Sequence, residues 1–297
     1  MATYSQTAPQ TAPPPEPFPW RERLGQIVMW LLIALVALYI LYPFAWALVT
    51  SFKTQRDALQ PTFIPFVQFE PTLENWEAEL GIGGREALSA LGNSALISVG
   101  AMVMAILLGT ITGYGLALFK FRFGNRNLVS WFLSQRFLPP VATIIPFLLL
   151  FQHLRLIDTI GGMIIINTTF VMPFAVLIMR DFFADFPIEL KEAALVDGAT
   201  EWQVFWRVAL PLAVPALAAA AVICFAFAWN EYLFASRLTA RDARPYTFLI
   251  ASTGTVRGIH FGFVSTRMLI AVTLPVILSL FVQRYIVRGL TLGAVKG

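Results

Sequence analysis

The side chains able to do chemistry are few, and their spacing excludes most of the chemistry they could do. His153 and His260 stand far apart in the chain, with no cysteine or second histidine at ligand spacing, so no metal centre is indicated. Cys224 is the single cysteine and sits inside an apolar run, which suits a small buried hydrophobe and excludes an intrachain disulfide. No Gly-x-x-x-x-Gly-Lys-Ser/Thr loop is present, so the chain cannot itself cradle nucleotide phosphates. Neither a His-Glu-x-x-His motif nor a serine with a histidine base occurs, which argues against an enzyme. What remains is a crowd of charges, Glu189, Lys191, Glu192, Asp197 and Glu201, between two apolar runs. Such charges form either a solvated surface or contacts for a partner.

The elements that position these charges follow from composition. Of 297 residues 58% are hydrophobic and 13% charged, about half the usual density of charge, and the mean hydropathy is +0.71. An ordinary cytosolic enzyme, a disordered chain and a disulfide scaffold are all excluded, leaving an integral membrane protein of all-α class. Charge-free runs at Leu24–Phe52, Ala87–Phe119, Phe137–Leu154, Thr159–Met179, Val208–Asn230 and Leu269–Gln283 predict six spanning helices, the last completed by its flanks. The proline-rich residues 1–22 read as a disordered tail and 23–297 as the membrane domain, with a core over about 88–285. Arg21 and Arg23 precede a run too long for a signal peptide, so the first span is expected to stay uncleaved. The compact acid-free loop Lys120–Arg126 places both termini in the cytoplasm. Basic residues are scattered rather than striped along a face, which speaks for lipid headgroups and topology and against nucleic acid. Pro139, Pro140 and Pro146 interrupt the third span, either as a packing kink or as broken backbone lining a pathway. The long outer segments Ser51–Glu86 and Ala235–Thr266 should form short amphipathic or irregular structure. No internal repeat aligns, which weakens a secondary-transporter reading.

The charged crowd lies on the cytoplasmic side between spans four and five and reads as two short helices. Pro187 suits a first helical turn, Gly198 a C-cap, and Thr200 with Gln203 a capping box that opens the second helix. Trp202, Phe205 and Trp206 share one face of that second helix and should lie at the membrane interface. From the residues alone, the pair is either a surface hairpin without a partner or a docking element for a cytoplasmic protein.

Glu192-Ala193-Ala194, three residues, Gly198, nine residues, Val208, one residue and Leu210-Pro211 resembles the EAA signature of ABC importer permeases, with valine in place of the usual isoleucine. Phe52-Lys53-Thr54, Asn93-Ser94, Tyr114 with Phe121-Arg122-Phe123-Gly124, and Trp229-Asn230-Glu231-Tyr232 resemble its carbohydrate branch. The C-terminal Gly289–Gly297 is similar to the tail of the second permease of maltose-type importers. The resemblance implies a type I importer permease fold in which the hairpin is a coupling helix seated in a groove of an ATPase subunit. Glu192, Ala193, Ala194, Asp197, Gly198, Leu210 and Pro211 would serve that coupling, and Val295, Lys296 and Gly297 would reach between the ATPases. It further implies a second permease in a heterodimer, two ATPase subunits that hold the ATP and Mg, an external solute-binding protein, and a bacterial-type inner membrane. No cofactor would be bound by this chain.

For the solute, a sugar or sugar-like compound is implied, with a polyol or glycerol phosphate as the alternative. An ion channel or secondary transporter is the remoter one. Gln135, Arg136, Asn230 and Glu231 are the candidate pathway residues, because polar groups at membrane depth are expensive and usually functional. Asn230 and Glu231 either line the pathway or anchor at the interface, and Arg136 either lines it or pairs structurally. Trp229 and Tyr232 either stack on a sugar ring or belong to the aromatic belt.

Overall fold

The computed structural model describes residues 19–81, 84–255 and 258–293. Most of the expected tail lies outside them, but Pro19–Glu22 is already helical, because proline is tolerated in a first helical turn. Helix α1, Pro19–Ser51, carries the first apolar run. The chain divides into two compact units at Trp46 and Ala47. The first is the apolar stem of α1, whose Arg23–Ser51 stretch is long and apolar enough to cross a membrane.

The second unit begins with the end of α1 from Ala47, then α2 (Gln55–Ala58) and α3 (Glu74–Leu80) in the first long loop, followed by α4 (Arg85–Leu118), α5 (Asn125–Gln135), α6 (Pro140–His153) and α7 (Ile160–Ala184). The charged hairpin follows as α8 (Ile188–Val196) and α9 (Glu201–Val204), continued by a π turn over Phe205–Ala209 and α10 (Leu210–Leu212). The chain then runs through α11 (Val214–Trp229), α12 (Ala235–Leu238), α13 (Tyr246–Ala251), an antiparallel ribbon of β1 (Gly254–Thr255) and β2 (Gly258–Ile259), and α14 (Phe261–Gly293).

Two of the six expected spans are not single rods. Helices α1, α4, α7 and α14 each suffice to cross alone. The third span is α5 and α6 bent by 90°, and the fifth is the Glu201–Leu212 segment bent by 76° against α11. Helix α6 has 14 residues, about 21 Å, too short for ~30 Å of hydrocarbon without α5. The break sits at Arg136–Pro139: Pro139 excludes helix at Leu138, and Pro140 restarts one from its first position. In the fifth span Pro211 donates nothing to the Arg207 carbonyl and crowds it, so the helix widens there into the π turn.

The core of this unit is α4 laid along α7, with α11 over both and α14 against α11. Ala101, Ala105, Gly109 and Gly113 repeat every four residues on α4 and are all buried. A Cβ on Gly113 would sit 2.7 Å from the Arg180 backbone nitrogen, so the two backbones approach as only small residues allow.

At the end of the bundle where α4 begins, the loops are tied by polar groups. Tyr246 Oη donates to Glu79 Oε1 at 2.8 Å, and Arg267 Nε donates to both oxygens of Glu79 at 3.1 and 3.0 Å. Asn75 donates to the Ser51 and Lys53 carbonyls, both at 2.9 Å. Asp158 accepts from the backbone N–H groups of Ala240, Arg241, Asp242 and Ala243 at 2.9 to 3.1 Å, joining the α6–α7 loop to the α12–α13 loop.

Burial alone would raise the Asp158 carboxyl, but those four N–H donors outweigh it and hold the group below the usual carboxylate range. A depressed native pKa contributes stability that is full above the ordinary carboxylate range and is lost as pH falls through the native value. Asp158→Ala is therefore expected to speed hydrogen exchange of the 240–243 amides at neutral pH by about 10-fold, the lower range for bonds to a charged group. In the unmodified protein the same amides loosen only on acidification. Equal exchange in both proteins would show that the carboxylate holds nothing.

Candidate functional site

The charged hairpin is closed by local hydrogen bonds at both of its turns. Ala199 N–H bonds the Ala194 carbonyl at 3.0 Å and Gly198 N–H bonds that of Leu195 at 3.1 Å, with Gly198 at φ +83°, the left-handed residue that this C-terminal motif requires. Thr200 Oγ1 accepts from Gln203 N–H, and Gln203 Oε1 accepts from Thr200 N–H at 2.8 Å, which is the expected capping box. Pro187 takes the N-cap position, one residue ahead of the first helical turn where the sequence reading put it.

The root of the hairpin is buried in an aromatic core. Phe186 and Phe205 pack with Tyr114, Met179 and Phe183, and the Tyr114 ring meets Phe183 and Phe205 edge-on at 5.2 and 5.0 Å. Trp202, Phe205 and Trp206 do touch one another, but Phe205 turns inward and only the two tryptophans stay exposed. The coupling candidates divide accordingly. Glu192, Ala193, Asp197 and Gly198 are exposed and Ala194 is half-buried, beside Val196, which is 87% exposed. Leu210, half-buried, packs against the aromatic core, and Pro211, exposed, lies in α10 just ahead of the bend into α11.

Lys191, which the spacing argument passed over as one charge among five, is 8% exposed although its neighbours Glu192 and Ala193 are exposed. Its Nζ lies 3.0 Å from Glu201 Oε1 and 4.5 Å from the centre of the Phe119 ring. No periodicity in the sequence marks it, because Phe119 lies on the far side of two spans.

The pathway candidates fall in two places. Gln135 lines a cavity of about 280 Å³ with Met104, Trp131 and Thr168. Asn230, Glu231 and Tyr232 line another of about 390 Å³, together with Pro140, Asn167 and Phe227. The Arg136 guanidinium covers the Phe174 ring at 3.5 Å, and the Phe174 ring meets that of Phe227, tilted by 33°, at 4.4 Å, which links Arg136 to this second cavity. Asn230 Nδ2 donates to the Ala226 carbonyl at 2.8 Å. Glu231 accepts from Phe234 N–H at 2.6 Å and Ala235 N–H at 3.1 Å. Trp229 is buried, with Nε1 donating to the Ala271 carbonyl at 3.0 Å, so it ties α11 to α14 and has no ring face to offer a ligand. Tyr232 is 44% exposed and keeps that option. Asn167, buried and on the wall of the same cavity, was legible only as a polar residue inside a charge-free run. The expected tail contact at Val295, Lys296 and Gly297 lies outside the described residues.

Residues 105–292 match the family described as binding-protein-dependent transport system inner membrane component. The chain is 34% identical over 268 residues to the trehalose transport system permease protein SugB of Mycobacterium tuberculosis, covering 89% of this chain and 95% of that protein. It is 31% identical over 281 residues to the trehalose/maltose transport system permease protein MalG of Thermococcus litoralis, covering 93% and 99%. Among solved structures, it superposes on a chain of a bacterial ABC transporter involved in import of the acidic polysaccharide alginate, with a TM-score of 0.74 at 23% identity over 91% of this chain and 99% of that one. At that identity the likeness speaks for the fold.

Proposed function

The chain belongs to the binding-protein-dependent transport system inner membrane components, and from that membership we propose how its geometry works. It is a multi-pass membrane permease subunit of an ABC importer for a sugar, a transport subunit that acts with an ATPase and a solute-binding protein. Glu192, Ala193, Ala194, Asp197 and Gly198 are the face that meets the ATPase, with both chain termini on that cytoplasmic side and Val295, Lys296 and Gly297 joining the contact. The ATPase pair holds the ATP and Mg, and a second, different permease completes the pathway. The alanines let α8 seat deeply, and a dehydrated Glu192 carboxylate gains strength against a partner arginine. Leu210 and Pro211 form the hinge through which that face turns α11. Asn230, Glu231 and Tyr232 offer carbonyl, carboxylate and ring contacts to a sugar, with Gln135 and Arg136 beside the same route.

The observation that carries this reading is the exposed small-and-acidic face of α8, on a hairpin capped at both turns and rooted in buried Phe186 and Phe205. Reconstitution of the chain in proteoliposomes with its genomically adjacent permease, ATPase and binding protein tests it. Sugar uptake that needs ATP inside and binding protein outside is expected. Uptake that survives ATP depletion and collapses with an ion gradient would overturn it.

A further inference from the structure

We infer that Lys191 is a positioning residue that latches the coupling hairpin to the end of α4, so that motion of α8 moves α4 directly; the inference rests on the transport reading above. By covalent connection alone, α8 can push only on α7, through Phe186, and on α11, through the π turn and α10. Lys191 supplies a third attachment. Its ammonium is 3.0 Å from Glu201 Oε1 and 4.5 Å from the ring of Phe119, the residue that ends α4, and it is 8% exposed while the neighbouring Glu192 and Ala193 are exposed. A cation held against both a ring face and a carboxylate, with its stem buried, keeps a fixed place that a solvated surface pair does not. The attachment continues inward, because Tyr114 of α4 meets the Phe119 ring at 6.0 Å and those of Phe183 and Phe205 at 5.2 and 5.0 Å. A cavity of about 200 Å³ between Tyr114, Phe119, Glu201 and Trp202 lies beside the latch and leaves room for the hairpin to tilt once it is released. The latch sits behind the docking face, so it acts on the transmission of force and not on capture of the ATPase.

The test uses Lys191→Met, which keeps the stem and removes the charge, in the full complex. The ATPase is expected to assemble and hydrolyse ATP as before, while solute transported per ATP falls about 3- to 10-fold, the range that loss of one coupling contact gives. Lys191→Arg, able to hold both the ring and the carboxylate, restores the ratio. In a Cys224→Ala background, spin labels at Val196 and Phe123, both exposed, report the distance from α8 to the short loop that follows α4, which broadens in Lys191→Met and returns in Lys191→Arg. An unchanged distance distribution overturns the latch whether or not the transport reading stands. So does an unchanged transport ratio, or loss of ATPase assembly. Absence of ATP-driven uptake in the unmodified complex would instead strike the transport reading.

Discussion

Glu192→Lys combined with Gly198→Asp is expected to leave the protein in the membrane and to reduce ATP-driven uptake by at least about 100-fold. Glu192 is exposed and takes no part in the buried root of the hairpin, so its reversal removes nothing that holds the fold. What it removes is a carboxylate presented to a partner, and it sets a like charge against whatever cation faces it. Truncating one member of a dehydrated charge pair costs about 2–5 kcal/mol, which is roughly 30- to several-thousand-fold in affinity. Gly198 acts differently. Its φ of +83° lies in the left-handed region, where an L residue costs about 1–2 kcal/mol, and the two hydrogen bonds that end α8 depend on that conformation. The substitution therefore tilts α8 relative to α9 while adding a second charge on the docking side. Membrane yield, ATPase co-purification and labelled-sugar uptake measured together separate the effects. Normal uptake with normal yield would remove α8 from the coupling path.

The largest effect on stability is expected at the other end of the bundle. Arg267→Met should lower the thermal unfolding midpoint in detergent by about 10 °C. The Glu79 side chain is 1% exposed and that of Arg267 13%, so the pair sits where a single uncompensated charge is costly. Arg267 also donates to the Leu249 carbonyl at 2.7 Å and to Thr253 Oγ1 at 2.9 Å, and its guanidinium lies over Phe263. One side chain thus ties α3, α13 and α14. Breaking a buried pair by removing one partner costs about 3–5 kcal/mol, most of it the penalty of the orphaned carboxylate, and a chain of this size loses roughly 2–4 °C per kcal/mol. The same physics makes Arg267→Met with Glu79→Gln milder than Arg267→Met alone, since no buried charge is then left unpaired. Tyr246 keeps an acceptor in that double variant. Additive shifts in the double-mutant cycle would show that the two groups do not act as a pair.

Some of this was written in the chain and some was not. Apolar runs located the six candidate spans and Pro139–Pro140 the break in the third, because burial in lipid demands unbroken apolar length and proline acts on its immediate neighbours. Pro146, expected to interrupt the same span, instead lies inside the continuous α6. The 90° of that break, and the shortness of α6 that makes α5 part of the same span, depend on how the two helices pack. Gly198, Thr200 and Gln203 were legible as caps because a cap is a hydrogen bond between residues three to five apart.

The polar residues divide along the same line. Trp229 and Tyr232 look alike in the sequence, three residues apart at the end of an apolar run. Contact with α14 spends the first on the Ala271 carbonyl and leaves the second on a cavity wall. Lys191, Asp158 and Glu79 each find their partner across the fold, at Phe119, at Ala240–Ala243 and at Arg267. Composition and spacing by themselves determined that this chain crosses a membrane and where it presents a charged, capped hairpin, because those properties depend on hydropathy and on hydrogen bonds a few residues long. Only the tertiary structure decided which of its charges face a partner and which hold the fold together. A charge is satisfied by whatever group the packing of distant helices brings to it, and no local pattern records that neighbour.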